Sequence, residues 1–239
     1  MINGIKLASA GLDFYTNVQE VIARNLANAN TVGFKKNIVS FNNALAQTGG
    51  EGTSNLQINY GVDYSQGNLI YTGNPLDIAI EGDGFFVLET DKGLRYTRNG
   101  QFLLSGTGEI VTAGGLKLLG QGGPVIIPSG GKEIVIDKTG IIAVDGKETD
   151  SLMIVNFKDI TSLVPSGDST FSASLELANL DEDVKSRVSQ GYLESSNVNV
   201  VMEMVDMIAN MRNYEASNNV IKSFSGLMER LISNQSNAV

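Results

Sequence analysis

Apolar residues recur at heptad spacing at both ends of the chain. From about residue 3 to residue 29 one row reads Ile5, Leu12, Gln19 and Leu26, and a second reads Ala8, Tyr15, Ile22 and Ala29. These are the seam positions of a helix that packs on other helices, with one polar break at Gln19. At about 1.5 Å per residue such a helix spans roughly 40 Å. The run Asn28-Ala29-Asn30-Thr31-Val32-Gly33 ends it, with Gly33 or Asn30 expected in the left-handed conformation. The far end repeats the design from about residue 199 to residue 233. One row there is Met207, Tyr214, Ile221 and Met228; another is Met204, Met211, Asn218, Ser225 and Ile232; Phe224 and Leu231 widen the stripe. Asn197 or Asn199 can cap this second helix, and Glu203 and Asp206 lie near its positive end.

Between the helices the period changes. Short β-prone runs follow one another: Phe85 to Glu89, Leu94 to Thr97, Phe102 to Leu104, Ile110 to Thr112, Leu116 to Leu119, Val125 to Ile127, Glu133 to Ile136, Ile141 to Val144 and Leu152 to Phe157. Asp91-Lys92-Gly93, Asn99-Gly100, Gly114-Gly115, Lys138-Thr139-Gly140 and Asp145-Gly146 punctuate them, which predicts antiparallel hairpins. The fold class expected is α+β. Residues 1–36 and 195–239 form a discontinuous helical domain in coiled-coil-like packing, and residues 70–194 form a central β-rich domain. Residues 37–69 are expected as an extended connection, its polar glycine-bearing part at 47–54 a flexible link.

Both helices carry an apolar seam. Packing on each other covers part of that surface and leaves the rest for partners. A face that meets a different face on the next copy generates an open helical assembly unless the rotation closes a ring. The methionines at 202, 204, 207 and 211 suit adaptable contacts and gap-filling equally well.

Composition removes most chemistry. With no histidine and no cysteine, disulfides, Cys/His zinc sites and histidine-based nucleophile activation are excluded. The net charge of −9 and the lack of a Lys/Arg cluster disfavour nucleic acid and anionic membrane surfaces. No run of about eighteen apolar residues predicts a membrane span. The N-terminus does not read as a cleavable signal peptide. Asp77, Glu81 and Asp83 are the one conceivable carboxylate group, but Gly82 and Gly84 between them suggest a turn before the strand at Phe85. The glycines form no phosphate-binding fingerprint. The chain is therefore expected not to be an enzyme, with no catalytic residue, no cofactor and no metal site.

Three stretches carry a family resemblance. Arg24-Asn25-Leu26-Ala27-Asn28-Ala29-Asn30-Thr31-Val32-Gly33-Phe34-Lys35-Lys36 resembles the N-terminal signature of bacterial flagellar rod and hook proteins. Gly191-Tyr192-Leu193-Glu194-Ser195-Ser196-Asn197-Val198-Asn199, followed by Glu203-Met204, Met207-Ile208 and Arg212-Asn213-Tyr214-Glu215, resembles their C-terminal signature. Asn74 to Phe86 and Tyr96-Thr97-Arg98-Asn99-Gly100 match in the middle. Gly120 to Pro128 and the short link after Phe41 resemble the proximal-rod branch more than the distal-rod branch. The resemblance implies a subunit of the periplasmic rod of the basal body, exported unfolded and uncleaved by the flagellar type III apparatus. Its expected partners are copies of itself and other rod and hook-basal-body proteins. The residues expected at subunit contacts are Ile5, Ala8, Leu12, Tyr15, Ile22, Leu26, Asn28, Asn30, Gly33 and Phe34 near one end, and Met204, Met207, Met211, Tyr214, Ile221, Phe224, Met228 and Leu231 near the other.

Overall fold

The computed structural model describes residues 2–44, 55–128, 130–131, 133–173, 180–181 and 186–236. The side chains of 2–8, 41–44, 55–57, 180–181, 228–229 and 231–236 fall outside that description, as does the stretch 47–54 expected as a flexible link. Two long helices bracket a run of strands, α1 (Ile2–Ala27) and α2 (Val200–Ser236). The strands are β1 (Asn37–Ala44), β2 (Asn55–Val62), β3 (Leu69–Tyr71), β4 (Ile78–Glu81), β5 (Phe85–Thr90), β6 (Gly93–Thr97) and β7 (Phe102–Leu104). Next come β8 (Ile110–Thr112), β9 (Lys117–Gly120), β10 (Gly123–Pro124), β11 (Ile134–Ile136), β12 (Ile141–Val144) and β13 (Lys147–Ser151). The series closes with β14 (Ile154–Phe157), β15 (Leu163–Pro165), β16 (Thr170–Ala173), β17 (Leu180–Asp181), β18 (Arg187–Gln190) and β19 (Tyr192–Glu194). The fold is α+β with antiparallel pairing throughout its described ladders.

The chain divides into two compact units. One holds Met1–Ala27, Asn37–Asp63 and Val198–Val239; the other holds Asn28–Lys36 and Tyr64–Asn197. The stretch 37–69, expected as an extended connection, thus contains a full hairpin. β1 pairs with β2 from Asn37↔Val62 to Ala44↔Asn55, and this hairpin groups with the helices. In that unit α1 and α2 pack side by side. Asn25 reaches Glu203 while Asn210 reaches Tyr15 and Gln19, so the two helices run antiparallel.

The second unit is built on a sheet ordered β15-β16-β6-β5-β9-β8-β7, with β14 also on β5. Neighbouring residues of a strand point to opposite faces, yet Phe85, Phe86, Val87 and Leu88 are all buried, so both faces of β5 are covered. On one face Phe86 stacks edge-on against Phe102 within a cluster that includes Ile78, Ile110, Leu118 and Ile142. On the other, Phe85 meets Tyr64, Phe157 and Phe171, ring centroids 5.8 to 6.1 Å apart. Burial in this aromatic group pushes the Tyr64 hydroxyl up to about 12.

The expected turns Asp91–Gly93, Gly114–Gly115, Lys138–Gly140 and Asp145–Gly146 each join paired strands. Asn99-Gly100 does not, because β6 pairs with β5 and β16 while β7 pairs with β8. Glycine is required at 100 for close approach instead: a β-carbon there would overlap the Ile78 carbonyl oxygen. Asp77 to Gly84, read from the sequence as leading into a turn, contains the buried strand β4, which pairs with β18.

Candidate functional site: a buried clasp and an uncovered helix

In the β-rich unit the two signature segments meet on one carboxylate. Lys35 Nζ lies 2.6 Å from Glu194 Oε1, and Arg98 lies 3.5 Å from Glu194 Oε2. All three residues are at most 4% exposed. Glu194 Oε1 also accepts from the Gly67 amide at 2.9 Å. The backbone joins in: Gly33 N donates to the Glu194 carbonyl at 2.8 Å, and Ser195 N donates to the Asn68 carbonyl at 2.8 Å. Ser65 is a second node, its carbonyl accepting from Lys35 Nζ at 2.7 Å and from Asn197 Nδ2 at 3.1 Å. Asn197 Oδ1 takes the Lys36 amide at 2.7 Å. Residues 33–36, 65–68 and 194–197 are thereby tied into one clasp.

Burial pulls the Arg98 guanidinium down from its ordinary value, while Glu194 and Asp83 push it back up. Its ring neighbour is Phe85, 5.2 Å to the centroid. Gly33 completes the clasp, with φ +65 and no room for a side chain: a β-carbon would overlap the Asn99 backbone nitrogen. It stands six residues past the last residue of α1, so its left-handed conformation serves loop packing and not a helix cap. Beside the clasp, Ala29, Asn30 and Val32 join Ile70, Thr72, Leu193 and Ser195 around a mostly apolar cleft of about 170 Å³.

In the helical unit, Asn25 holds the end of α1. Its amide donates to the Asn37 carbonyl and accepts from the Asn37 amide, both at 2.9 Å, as a neighbouring strand would. The same amide group reaches Glu203 at 3.2 Å. One helical repeat on, buried Asn210 donates to the Tyr15 carbonyl and to Gln19 Oε1, both at 2.9 Å. The face of α2 toward α1 is therefore Glu203, Met207 and Asn210, two polar residues in three. Such buried polar pairs fix register at a cost in stability. Asn199 caps α2 through bonds from Val201 N and Met202 N. Asn197 does not, being engaged in the clasp.

The other faces of α2 are apolar and uncovered. Val200, Val201, Met202, Met204, Val205, Ile208 and Met211 are all exposed; Ile208 is 55% exposed and Met204 53%. The outward face of α1, in contrast, is polar over Ser9, Asp13, Thr16, Glu20 and Arg24.

Of the residues expected at subunit contacts, Ile22 and Gly33 are buried within their own units, and Leu12, Tyr15, Leu26, Asn28, Phe34, Met207 and Ile221 are half-buried. Asn30, Met204, Met211, Tyr214 and Phe224 are exposed. The side chains of Ile5, Ala8, Met228 and Leu231 lie outside the described residues. The two rows of α2 thus separate: Met207 turns toward α1, Met204 and Met211 away from it. Lys35, Arg98, Glu194 and Asn210 were given no role by sequence reasoning, and Glu203 only its place near the positive end of the second helix. The signal available was a cation inside each of two short motifs, Lys35 and Arg98, with no local acid to match.

The carboxylates at 77 and 81 are used by the fold. Asp77 accepts from Thr72 at 2.7 Å and Asn74 at 3.0 Å, and Glu81 accepts from Ser189 at 2.6 Å. Among the described residues no three acidic side chains gather in a way that could hold a metal ion.

A clasp joining two terminal segments, together with a long helix left apolar on its open faces, defines a structural assembly subunit. Three family models match in chain order: the flagella basal body rod protein at residues 16–35, the flagellar hook protein FlgE/F/G D1 domain at 79–144, and the flagellar basal body rod FlgEFG protein C-terminal at 189–234. The chain is similar to flagellar basal-body rod protein FlgG of Bacillus subtilis, 32% identical over 97% of this chain and 98% of the relative. It is also similar to FlgF of Escherichia coli, 36% identical, and of Salmonella typhimurium, 35% identical, each over 87% of this chain and 88% of the relative. The chain belongs to the flagellar basal-body rod protein family and is a structural subunit of the rod/hook class. No catalytic family is indicated. The signature segments end in the clasp: the first model stops at Lys35, and the third contains Glu194.

Proposed function

We propose that the chain is an axial subunit of the basal-body rod, of proximal-rod type, that helps carry torque from motor to hook. Copies and other rod proteins pack against α2 helix to helix. The observation that carries this reading is the run of seven uncovered apolar side chains between Val200 and Met211. A helix whose faces away from its own partner carry this many exposed apolar side chains is a helix meant to be covered by other molecules. α1 covers one face; the remaining faces await other molecules. Because α1 presents a polar outer face, a neighbour meets α2 with a different surface from the one it offers, and such contacts propagate into an open helix. Apolar helical interfaces at interior packing density also resist twisting better than exposed ion pairs. The rod reading carries export through the flagellar type III apparatus and a periplasmic station with it.

The proximal assignment is supported by the resemblance of Gly120 to Pro128 and by the short connection after Phe41. A distal-rod reading is favoured by the coverage of the FlgG relative, 97% of this chain against 87% for FlgF. A compact tag inserted at the exposed Asp145–Gly146 turn decides between them in images of purified basal bodies. Density at the motor end of the rod is expected. Density at the hook end would reject the proximal type, and no density anywhere on the rod would reject the function.

A further inference from the structure

Side chains that an oxidant can attack are concentrated on one helix. The chain has no cysteine, histidine or tryptophan, so its seven methionines are its most readily oxidised residues. Met202, Met204, Met207 and Met211 all fall within one short stretch of α2. Met202, Met204 and Met211 are 54%, 53% and 51% exposed, whereas Met207, turned toward α1, and Met153 in the β-rich unit are half-buried. The accessible sulfurs therefore share their stretch of helix with the uncovered valines and Ile208. A thioether packs as an apolar group; its sulfoxide is polar and chiral, with an acceptor oxygen. That oxygen finds no donor on its own stretch of helix. Between Val200 and Met211 the one side chain with N–H groups is Asn210, and both of its amide hydrogens already go to Tyr15 and Gln19 of α1.

We propose that Met202, Met204 and Met211 form an oxidation site that controls assembly: conversion of their thioethers to sulfoxides in the free subunit stops it from adding to the rod. This deepens the rod reading above and rests on it. The oxidant is hydrogen peroxide. A sulfur lone pair bonds to one peroxide oxygen, the O–O bond breaks, and the other oxygen leaves as water; the sulfur gives up two electrons and the peroxide takes them. In the free chain water solvates the new oxygen, so the fold is kept. Against an apolar neighbour the oxygen is buried without a donor, which costs about tenfold in affinity for each sulfoxide. Reversal needs sulfoxide reductases, one for each epimer, whose two thiols close to a disulfide while the oxygen leaves as water.

Peroxide treatment of the pure full-length chain, read by peptide mass, tests the site. Met202, Met204 and Met211 are expected to gain oxygen about fivefold faster than Met153 and Met207, with the helical circular dichroism unchanged. Equal rates at all five sulfurs, or helicity lost in step with oxidation, would overturn the site. Competition within one cell tests the control. Wild-type chain is exported together with the Met202→Leu/Met204→Leu/Met211→Leu chain, which keeps apolar bulk and cannot take up oxygen. The ratio of the two in purified basal bodies, divided by their ratio in the exported pool, sets the baseline without peroxide. At a peroxide dose that leaves sulfoxides on the exported wild-type chain, this quotient is expected to shift about tenfold or more toward the leucine chain. An unshifted quotient at that dose would overturn the proposal. Absence of both chains from basal bodies without peroxide would instead reject the rod reading, and the control of assembly with it, while leaving the peptide rates standing.

Discussion

Ile208→Asp is expected to abolish incorporation into rods while leaving the purified chain folded. Ile208 is 55% exposed and lies on the side of α2 away from Glu203 and Asn210, which face α1. In the free chain an aspartate there stays in water, and exposed substitutions of this kind cost within about 0.5 kcal/mol beyond a small loss of helix propensity. In a rod the same carboxylate would be forced into an apolar contact. Burying an unpaired charge costs several kcal/mol, and the penalty recurs at every copy. Thermal melting of the pure protein and quantitation of the chain in purified basal bodies separate the two effects. Thr16→Asp, on the polar outer face of α1, is the control and is expected to assemble normally. Rods of ordinary composition with Ile208→Asp would show that this face of α2 is not a contact.

Gly33→Val is the second substitution with a large effect. The position has φ +65, where a left-handed conformation costs an ordinary residue about 1–2 kcal/mol and a β-branched one more. The added side chain would also run into the backbone of Asn99. The loop from Asn28 to Lys36 then cannot seat against the clasp. The aromatic group around Phe85 and the cluster around Phe86 are built from side chains between Tyr64 and Val188 rather than from the 28–36 loop, so the β-rich unit is expected to stay folded. Secretion is therefore expected to continue while assembly fails. The ratio of exported chain to chain in basal bodies measures this. Normal motility in the variant would count against a role for the loop.

The helices were readable because their heptad rows persist over many turns, and the hairpins from β5 to β9 because glycine-bearing turns bracket apolar runs. β1 and β2 were not. They carry Asn37, Asn42, Asn43, Asn55 and Asn59, so their polarity imitates a linker, while their pairing is settled by backbone bonds and by packing beside α1. β4 was hidden by the glycines that follow it. The clasp was illegible for a different reason. Lys35, Arg98 and Glu194 lie 63 and 96 residues apart along the chain, and only the tertiary fold brings them together. Gln19, read as a flaw in the seam, is the acceptor that holds Asn210. On α2 the apolar pattern could not tell which row faces the chain's own helix, since both sides are apolar. The polar residues Glu203 and Asn210 decide it, because their side chains bond Asn25, Tyr15 and Gln19 of α1.

The chain has no cysteine, so Ile208→Cys introduces a single thiol at the centre of the uncovered face of α2. Maleimide labelling of that thiol should be rapid in the free subunit and blocked in intact basal bodies, returning when the rods are dissociated. Equal labelling in free subunit and intact rod would mean that no neighbour covers α2, and the assembly proposed above would be contradicted.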